Sequence, residues 1–328
     1  MAAPSGPSAP SPAPASPVPV PAPATMARPP TGDLVLLTVA VFAVSTSAPL
    51  IRGADAPSLA VAFWRTLLAV PVVSALVLVG GWRRQLAGLA VPAARKASLV
   101  AGLLLAAHFG AWVPSVELTS VASATTLVAT QPIWAALLAR WRGELVPRNA
   151  WYGIGVAMVG AVLLTGVDLS ISGRALIGDL MAIVGGMLAA AYVTVGADAR
   201  KSLSTSAYAL VCYAVASAVL FAVCLAGGQA LGGYDSETWL ILAGLTLGPQ
   251  LLGHTLINRV LGTTSATLVS VAILFEIVGA GLLAWAFFDE VPPLSALPAA
   301  GLIAGGLVLV ARSGATAPTT TAEAELAE

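Results

Sequence analysis

Long apolar segments separated by short polar breaks follow one another along most of the chain. Ten of them approach or exceed the length of about 20 residues that a helix needs to cross the hydrocarbon core of a membrane. The predicted segments, which end at charged residues or at glycine and proline clusters, are 34–51, 57–80, 97–116, 118–139, 149–167, 177–196, 206–226, 238–258, 263–287 and 294–311. The pattern predicts an all-α integral membrane protein with ten transmembrane helices.

The two ends of the chain have a different composition. Residues 1–32 are almost entirely Pro, Ala and Ser, and residues 313–328 are rich in Thr and Ala and end in acidic residues. Such segments cannot bury an apolar core, so we expect two disordered tails. Met26 stands just before a short basic stretch and the first apolar segment. Our hypothesis is that translation from Met26 gives a functional protein and that residues 1–25 are dispensable.

Composition excludes two large classes of protein. Apolar residues make up 58% of the chain and charged residues 9%, with a mean hydropathy of +0.92. A soluble domain carries about 25% charged residues, so this chain lacks the polar surface that a protein of this size needs in water. Fifteen Lys and Arg balance fifteen Asp and Glu, which leaves no basic surplus for binding nucleic acid. We therefore expect a lipid bilayer around the chain and no nucleic-acid partner.

The cations predict how the chain is oriented in the membrane, because Lys and Arg concentrate in cytoplasmic loops. With the N-terminus in the cytoplasm, twelve of the fifteen cations lie on the cytoplasmic side. Only Arg52 and Arg174 fall on the outer side, and Arg65 lies within the membrane. We predict that both termini face the cytoplasm. The Arg- and Ala-rich composition further suggests a bacterial protein, hence one of the inner membrane.

The two halves of the chain share sequence landmarks. Ser-Ala-Thr occurs at 123–125 and again at 265–267, and the only two histidines, His108 and His254, lie 146 residues apart. We predict a first five-helix repeat over 33–168 and a second over 169–312. Five is an odd number, so the second copy is inverted in the membrane. Inverted repeats are typical of transporters whose substrate site lies near the midplane, where the repeats meet.

These landmarks resemble the EamA-type family of the drug/metabolite transporter superfamily. The resemblance covers about 34–312, and the matching pieces are Phe63-Trp64-Arg65, Thr130-Gln131-Pro132 through Gly143-Glu144, Gly178-Asp179, and Phe275-Glu276-Ile277 through Asp289-Glu290. It implies transport, but no particular substrate. Ile277 stands where the family often has proline, so we expect the ninth helix to be less kinked than the fourth.

Polar side chains inside apolar segments are the candidates for a substrate cavity, because they are costly in a membrane. Glu276 lies about halfway along the ninth segment, where it can carry a proton, bind a substrate amine or be a protonated structural residue. Gln131 lies at the matching depth of the fourth segment, and suits cavity lining or helix packing equally well. Tyr192 in the sixth segment is a weaker candidate.

Two polar stripes follow the spacing of one α-helical face. Gln250, His254 and Asn258 lie four residues apart in the eighth segment, and His108 and Trp112 do so in the third. We interpret both stripes as walls of a water-filled cavity. Histidines in such positions also serve as hydrogen-bond partners between helices, and this alternative stays open.

Other features leave structural alternatives open. Arg65 can bind a substrate carboxylate, although a structural ion pair, or an outer-interface position for its guanidinium, is the favoured interpretation. Gly301 and Gly305 form a GxxxG step that suits a homodimer or packing within the chain. Cys212 and Cys224 are about 18 Å apart along one helix, too far for a disulfide, so we expect packing residues.

Motifs of other functional classes are missing from the sequence. There is no Walker motif, no GxSxG and no cluster of metal ligands, so we expect neither an enzyme nor a cofactor or metal site. The expected protein is a secondary transporter that exports small metabolites, amino acids or amphipathic compounds by alternating access, with Glu276 as the candidate proton carrier. An uncoupled facilitator or exchanger, or a membrane scaffold without transport, are the alternatives.

Overall fold

A computed structural model describes residues 30–119, 121–165, 172–288 and 296–313. Every regular element within these ranges is helical, which confirms the all-α prediction for the described part of the chain. Thr31 and Gly32, which we assigned to the N-terminal tail, belong to the first helix, and Ser313 ends the last one. Residues 1–29 and 314–328 of the predicted tails, Met26 among them, and the repeat boundary at residue 168 lie outside the described residues.

The described residues contain sixteen α-helices, and all but one short helix overlap the ten predicted segments. In chain order they are α1 (Thr31–Ser45), α2 (Ser47–Gly53), α3 (Ser58–Leu67), α4 (Ala69–Val79), α5 (Trp82–Leu86), α6 (Pro92–Leu118), α7 (Val121–Val128), α8 (Gln131–Trp141), α9 (Arg148–Thr165), α10 (Gly173–Arg200), α11 (Thr205–Ala226), α12 (Ser236–Leu245), α13 (Thr255–Val260), α14 (Ala266–Ile273), α15 (Phe275–Phe288) and α16 (Ala296–Ser313). A 3₁₀ turn, Ala87–Ala90, follows α5, and a π-helical segment, Thr246–His254, joins α12 to α13.

Six stretches of the described chain are long and apolar enough to cross a membrane, judged by length and composition. They are Thr31–Gly53, Ser58–Val79, Pro92–Leu118, Gly173–Arg200, Thr205–Ala226 and Ser236–Val260. Many large apolar side chains point outward, among them Val79, which is 89% exposed, and Leu297, which is 85% exposed. An apolar exterior of this kind suits lipid, because water would disfavour it.

The fourth and ninth predicted segments are each broken into two helices at matching positions. At the first break the Thr130 amide donates to the Leu127 carbonyl at 3.2 Å. At the second, 144 residues later, the Leu274 amide donates to the Val271 carbonyl, also at 3.2 Å. Both bonds span three residues rather than four, so the α-helical ladder is interrupted. The ninth segment therefore breaks without a proline, and only Leu274 separates its two helices, against Ala129 and Thr130 in the fourth segment. That the ninth helix is less kinked than the fourth stays a prediction.

The helices of the two halves interleave. α6 of the third segment packs along α10 of the sixth segment. In the corresponding pair, α1 of the first segment packs against the π-helical segment and α13 of the eighth segment. The fourth and ninth segments meet through α8 and α14, and the fifth and tenth through α9 and α16. These are the contacts expected of two similar halves; the boundaries of the repeats stay a prediction.

Close backbone packing joins α9 to α16. A methyl group at Gly153 would lie 2.7 Å from the Gly306 carbonyl oxygen, so the contact requires glycine. By contrast, a methyl group at Gly301 or Gly305 would meet no atom within 4 Å. The contact within the chain therefore uses Gly306, and the GxxxG step at Gly301 and Gly305 faces away from it.

We expect Gly306→Leu to lower the thermal stability of the detergent-purified protein, because leucine forces the backbones of α9 and α16 apart. Overpacking of this kind typically costs about 1–3 kcal/mol. Gly305→Leu is the matched control, since its side chain enters open space one residue away. Thermal unfolding measured by fluorescence should separate the two variants, and equal melting temperatures would contradict this account of the contact.

Candidate functional site

A cavity lies among the helices of six predicted segments, the first, third and fourth of one half and the sixth, eighth and ninth of the other. The cavity has a volume of about 60 Å³. Its walls are formed by Val44, Ser47, His108, Trp112, Thr125, Val128, Ala129, Gln131, Ala189, Tyr192, Val193, His254, Ile257, Ser270, Ile273, Leu274, Glu276 and Ile277. Each half thus supplies three of the six walls.

The structure brings most of the predicted site residues together at this cavity. Six of the eight predicted cavity residues line it, and these are His108, Trp112, Gln131, Tyr192, His254 and Glu276. The other two, Gln250 and Asn258, are completely buried beside it. Tyr192, the weakest candidate by sequence, contributes its ring to the wall and donates its hydroxyl to Asn258 Oδ1 at 2.7 Å.

The stripe predicted in the eighth segment is divided by the π-helical segment. A π-helix bonds from residue i to residue i+5, so it shifts the faces of the side chains relative to a continuous α-helix. His254 faces the cavity, whereas Gln250 turns towards Arg65 and accepts its Nε–H at 3.2 Å. Pro249 lies inside the segment and cannot donate to an α-helical ladder. The expectation of one shared polar groove therefore holds for His254 alone.

Glu276 and Gln131 lie beside the two helix breaks. Glu276 is in the first turn of α15 and Gln131 is the first residue of α8. The Gln131 amide donates to Ser270 Oγ at 2.9 Å, which links α8 of one half to α14 of the other. Among the described lining residues, Glu276 carries the only carboxyl group. Negative charge in the cavity wall therefore depends on this one side chain.

Aromatic and imidazole rings cover one side of the cavity. His108 Nδ1 lies 2.9 Å from the Gly185 carbonyl oxygen, an acceptor, so this nitrogen carries the hydrogen and Nε2 remains an acceptor. The ring stacks on Trp112 at 6.0 Å between centroids and 6° between planes. Trp112 Nε1 and His254 Nδ1 have no hydrogen-bond partner among the described residues. Both nitrogens are available to a ligand or to water.

Arg65 is buried directly behind the cavity wall, with 1% of its surface exposed. Its guanidinium donates to Ser47 Oγ at 3.1 Å and to the Gln250 side chain, and it lies 4.3 Å from the centre of the Phe109 ring. Within the described ranges it forms no ion pair with a carboxylate. The side chain thus stays inside the protein instead of reaching an outer interface, and its partner Ser47 lines the cavity.

Sequence reasoning missed the two serines of the site. Ser47 and Ser270 line the cavity and hold Arg65 and Gln131 in place. Small hydroxyl residues are common in apolar helices, where they usually bond to their own backbone, so nothing in the sequence distinguished these two. The described residues contain no cluster of three or more side chains suited to hold a metal ion.

Comparison with known proteins gives matches of two kinds. The model of the EamA-like transporter family matches residues 31–166 and again residues 176–312. One of 29 matching solved chains, described only as "Crystal structure of protein", superimposes with a TM-score of 0.67 at 21% identity, covering 85% of this chain and 96% of that chain. That likeness concerns the fold alone. The comparison with curated proteins gives no match.

Proposed function

The chain belongs to the EamA-like transporter family, and from this premise we propose that it is a secondary transporter that exports a small amphipathic metabolite by alternating access. The observation that carries the proposal is the cavity built equally from both halves, with an interrupted helix of each half beside it. Rocking of one half against the other would open such a cavity first to one side and then to the other. A membrane scaffold has no need of this arrangement.

The charges around the cavity favour a substrate that carries both signs of charge. Glu276 offers a carboxylate to an amino group, and the rings of Trp112 and Tyr192 suit a cation or an apolar body. Arg65 supplies a buried positive charge without a carboxylate in contact, which is costly unless an anion approaches it. A substrate carboxylate beside Ser47 would meet this need. Amino acids and small amino-group metabolites are the substrates that combine these features.

Proton coupling is the second part of the proposal. A carboxyl group in a mostly apolar cavity takes up and releases protons as water and substrate come and go, so Glu276 can exchange a proton for the substrate amine. An uncoupled facilitator or exchanger has the same walls but does not need Glu276. The two mechanisms differ in whether a pH gradient drives uptake.

The remaining elements of the proposal concern the surroundings of the protein. We place ten helices across the inner membrane of a bacterium with both termini in the cytoplasm, as the distribution of cations favours. Gly301 and Gly305 offer a small-residue face to a second copy, so a homodimer is part of the proposal. Net charge gives no reason to expect nucleic acid as a partner.

Transport through this cavity can be tested with purified protein in liposomes. We expect a radiolabelled pool of amino acids and small amines to enter under an imposed pH gradient. Ala189→Cys, in a background with Cys212→Ala and Cys224→Ala, places a thiol on the cavity wall. Uptake by this variant should be lost after treatment with a bulky, membrane-impermeant thiol reagent, because the reagent fills the cavity.

The background without Ala189→Cys is the matched control and should keep its uptake in the presence of the reagent. The proposal is contradicted if the radiolabelled pool enters no faster than in empty liposomes in two assays. One assay uses the imposed pH gradient, and the other measures exchange of external against internal substrates. If the reagent labels the Ala189→Cys protein but leaves its uptake unchanged, the transport pathway does not pass through this cavity.

A further inference from the structure

A Gly-Asp-Leu tripeptide lies near the start of the first helix of each half, at 32–34 and again at 178–180. Each aspartate accepts a hydrogen bond from a threonine of the other half. Thr119 Oγ1 donates to Asp179 Oδ1 at 2.8 Å, and Thr263 Oγ1 donates to Asp33 Oδ2. Thr119 follows α6 and Thr263 follows α13, so both lie just after the corresponding helix of their half. The same contact is therefore built twice.

The two contacts lie at opposite ends of the helix bundle. Asp179 is near the start of α10, and Arg200 ends that helix 21 residues later, about 31 Å away along an α-helix. Arg200 Nε donates to the Asn258 carbonyl at 2.9 Å, close in sequence to Thr263. The separation equals the thickness of the hydrocarbon core of a membrane. One contact thus lies at each membrane face.

Each end has further packing between the halves. At the Asp179 end, a methyl group at Gly178 would lie 2.9 Å from the Thr119 amide nitrogen, so the turn of the first half lies directly against α10. At the other end, Arg259 lies 4.0 Å from the Asp33 carboxylate. Separation of the halves at either end would break that end's threonine–aspartate hydrogen bond first, because these bonds join the start of one half to a turn of the other.

We propose that the two threonine–aspartate hydrogen bonds are the gates of the transport cycle, each holding its own end of the bundle closed. In the structure both bonds are formed at the same time. Opening of one end breaks its bond while the other stays intact. The inference rests on the alternating-access mechanism proposed above, and in that topology Asp33–Thr263 is the cytoplasmic gate and Asp179–Thr119 the outer gate.

The test compares the labelling of the cavity thiol in Ala189→Cys from the two membrane faces. Thr119→Val and Thr263→Val keep the side-chain shape but remove the hydroxyl. Loss of a hydrogen bond to a carboxylate should change the equilibrium between closed and open about tenfold. We expect Thr119→Val to speed labelling by an impermeant reagent from the outer face only, and Thr263→Val from the cytoplasmic face only.

Thr264→Val is the matched control, because the buried Thr264 Oγ1 has no hydrogen-bond partner in the described part of the chain. It should leave both labelling rates unchanged. Asp33→Asn and Asp179→Asn keep an acceptor oxygen, so we expect smaller shifts on the same faces as for the valine variants.

Labelling that rises equally from both faces in the valine variants would show a loosened fold, and the proposed gates would be wrong. Labelling rates that do not change in these variants would also contradict the gates. The parent Ala189→Cys protein separates this failure from that of the proposed function. If the parent is labelled from both faces but the valine variants do not shift, the gates are wrong and alternating access stands. If the parent is labelled from one face only, alternating access fails, and the gates fail with it.

Discussion

Uptake driven by a pH gradient should fall to the level of empty liposomes when Glu276 is replaced with glutamine. Glutamine has the same shape and keeps its hydrogen-bonding capacity, but it has no proton to exchange. Because Glu276 carries the only carboxyl group on the described wall of the cavity, no neighbouring carboxyl group there can take over its role. The expected loss is complete for gradient-driven uptake of the radiolabelled pool.

Exchange of external against internal substrate separates coupling from folding in this variant. We expect Glu276→Gln to retain exchange of substrates that do not depend on an ionised carboxylate, since the cavity and both helix breaks are unchanged. Glu237→Gln, on the exposed first turn of α12, is the matched control and should behave as the parent does. Gradient-driven uptake that survives Glu276→Gln would identify an uncoupled facilitator.

Replacing Arg65 with methionine should abolish transport while leaving the protein folded. A buried charge without an ion pair costs desolvation energy, so an apolar side chain of similar length offsets much of what the lost hydrogen bonds to Ser47 and Gln250 cost. The charge is lost, however, and with it the attraction for a substrate carboxylate beside Ser47. We expect at least a 100-fold lower uptake with a melting temperature within a few degrees of the parent.

The comparison of stability with transport decides what Arg65 does. Arg65→Met leaves the Gln250 side chain without its partner, and the double variant with Gln250→Leu removes that cost of about 1–3 kcal/mol. Arg52→Met, which removes an exposed arginine from α2, is the matched control. A protein that unfolds in both Arg65 variants would mean that the arginine is structural.

Hydropathy alone predicted the helix positions closely because backbone amides and carbonyls in a membrane have no water to bond to. Every amide and carbonyl in a lipid-exposed segment of this kind must bond within its own helix. A long apolar segment therefore forms an α-helix of about the same length. The predicted segment 57–80 thus became Ser58–Val79, and 206–226 became Thr205–Ala226. Polar residues in such segments are rare, and for this reason Glu276 and Gln131 could be recognised as neighbours of a cavity.

The departures from a regular helix could not be read from local sequence. The π-helical segment has a partner far away in the chain, since the Gln250 carbonyl accepts from the hydroxyl of Tyr213, 37 residues earlier, at 3.3 Å. The break before α15 has no proline or glycine to announce it. Tertiary contacts determine both features, and they decide that His254 faces the cavity while Gln250 does not.

The interleaving of the two halves has a consequence for how the protein is made. The main packing partners of α1 are the π-helical segment, α13 and α15, which follow it by about 200 residues or more. At a synthesis rate of about 5–20 residues per second, the first helix waits on the order of ten to forty seconds in the membrane before its partners emerge from the ribosome. Assembly of the bundle is therefore a late event, and neither half can complete its interior while it is alone.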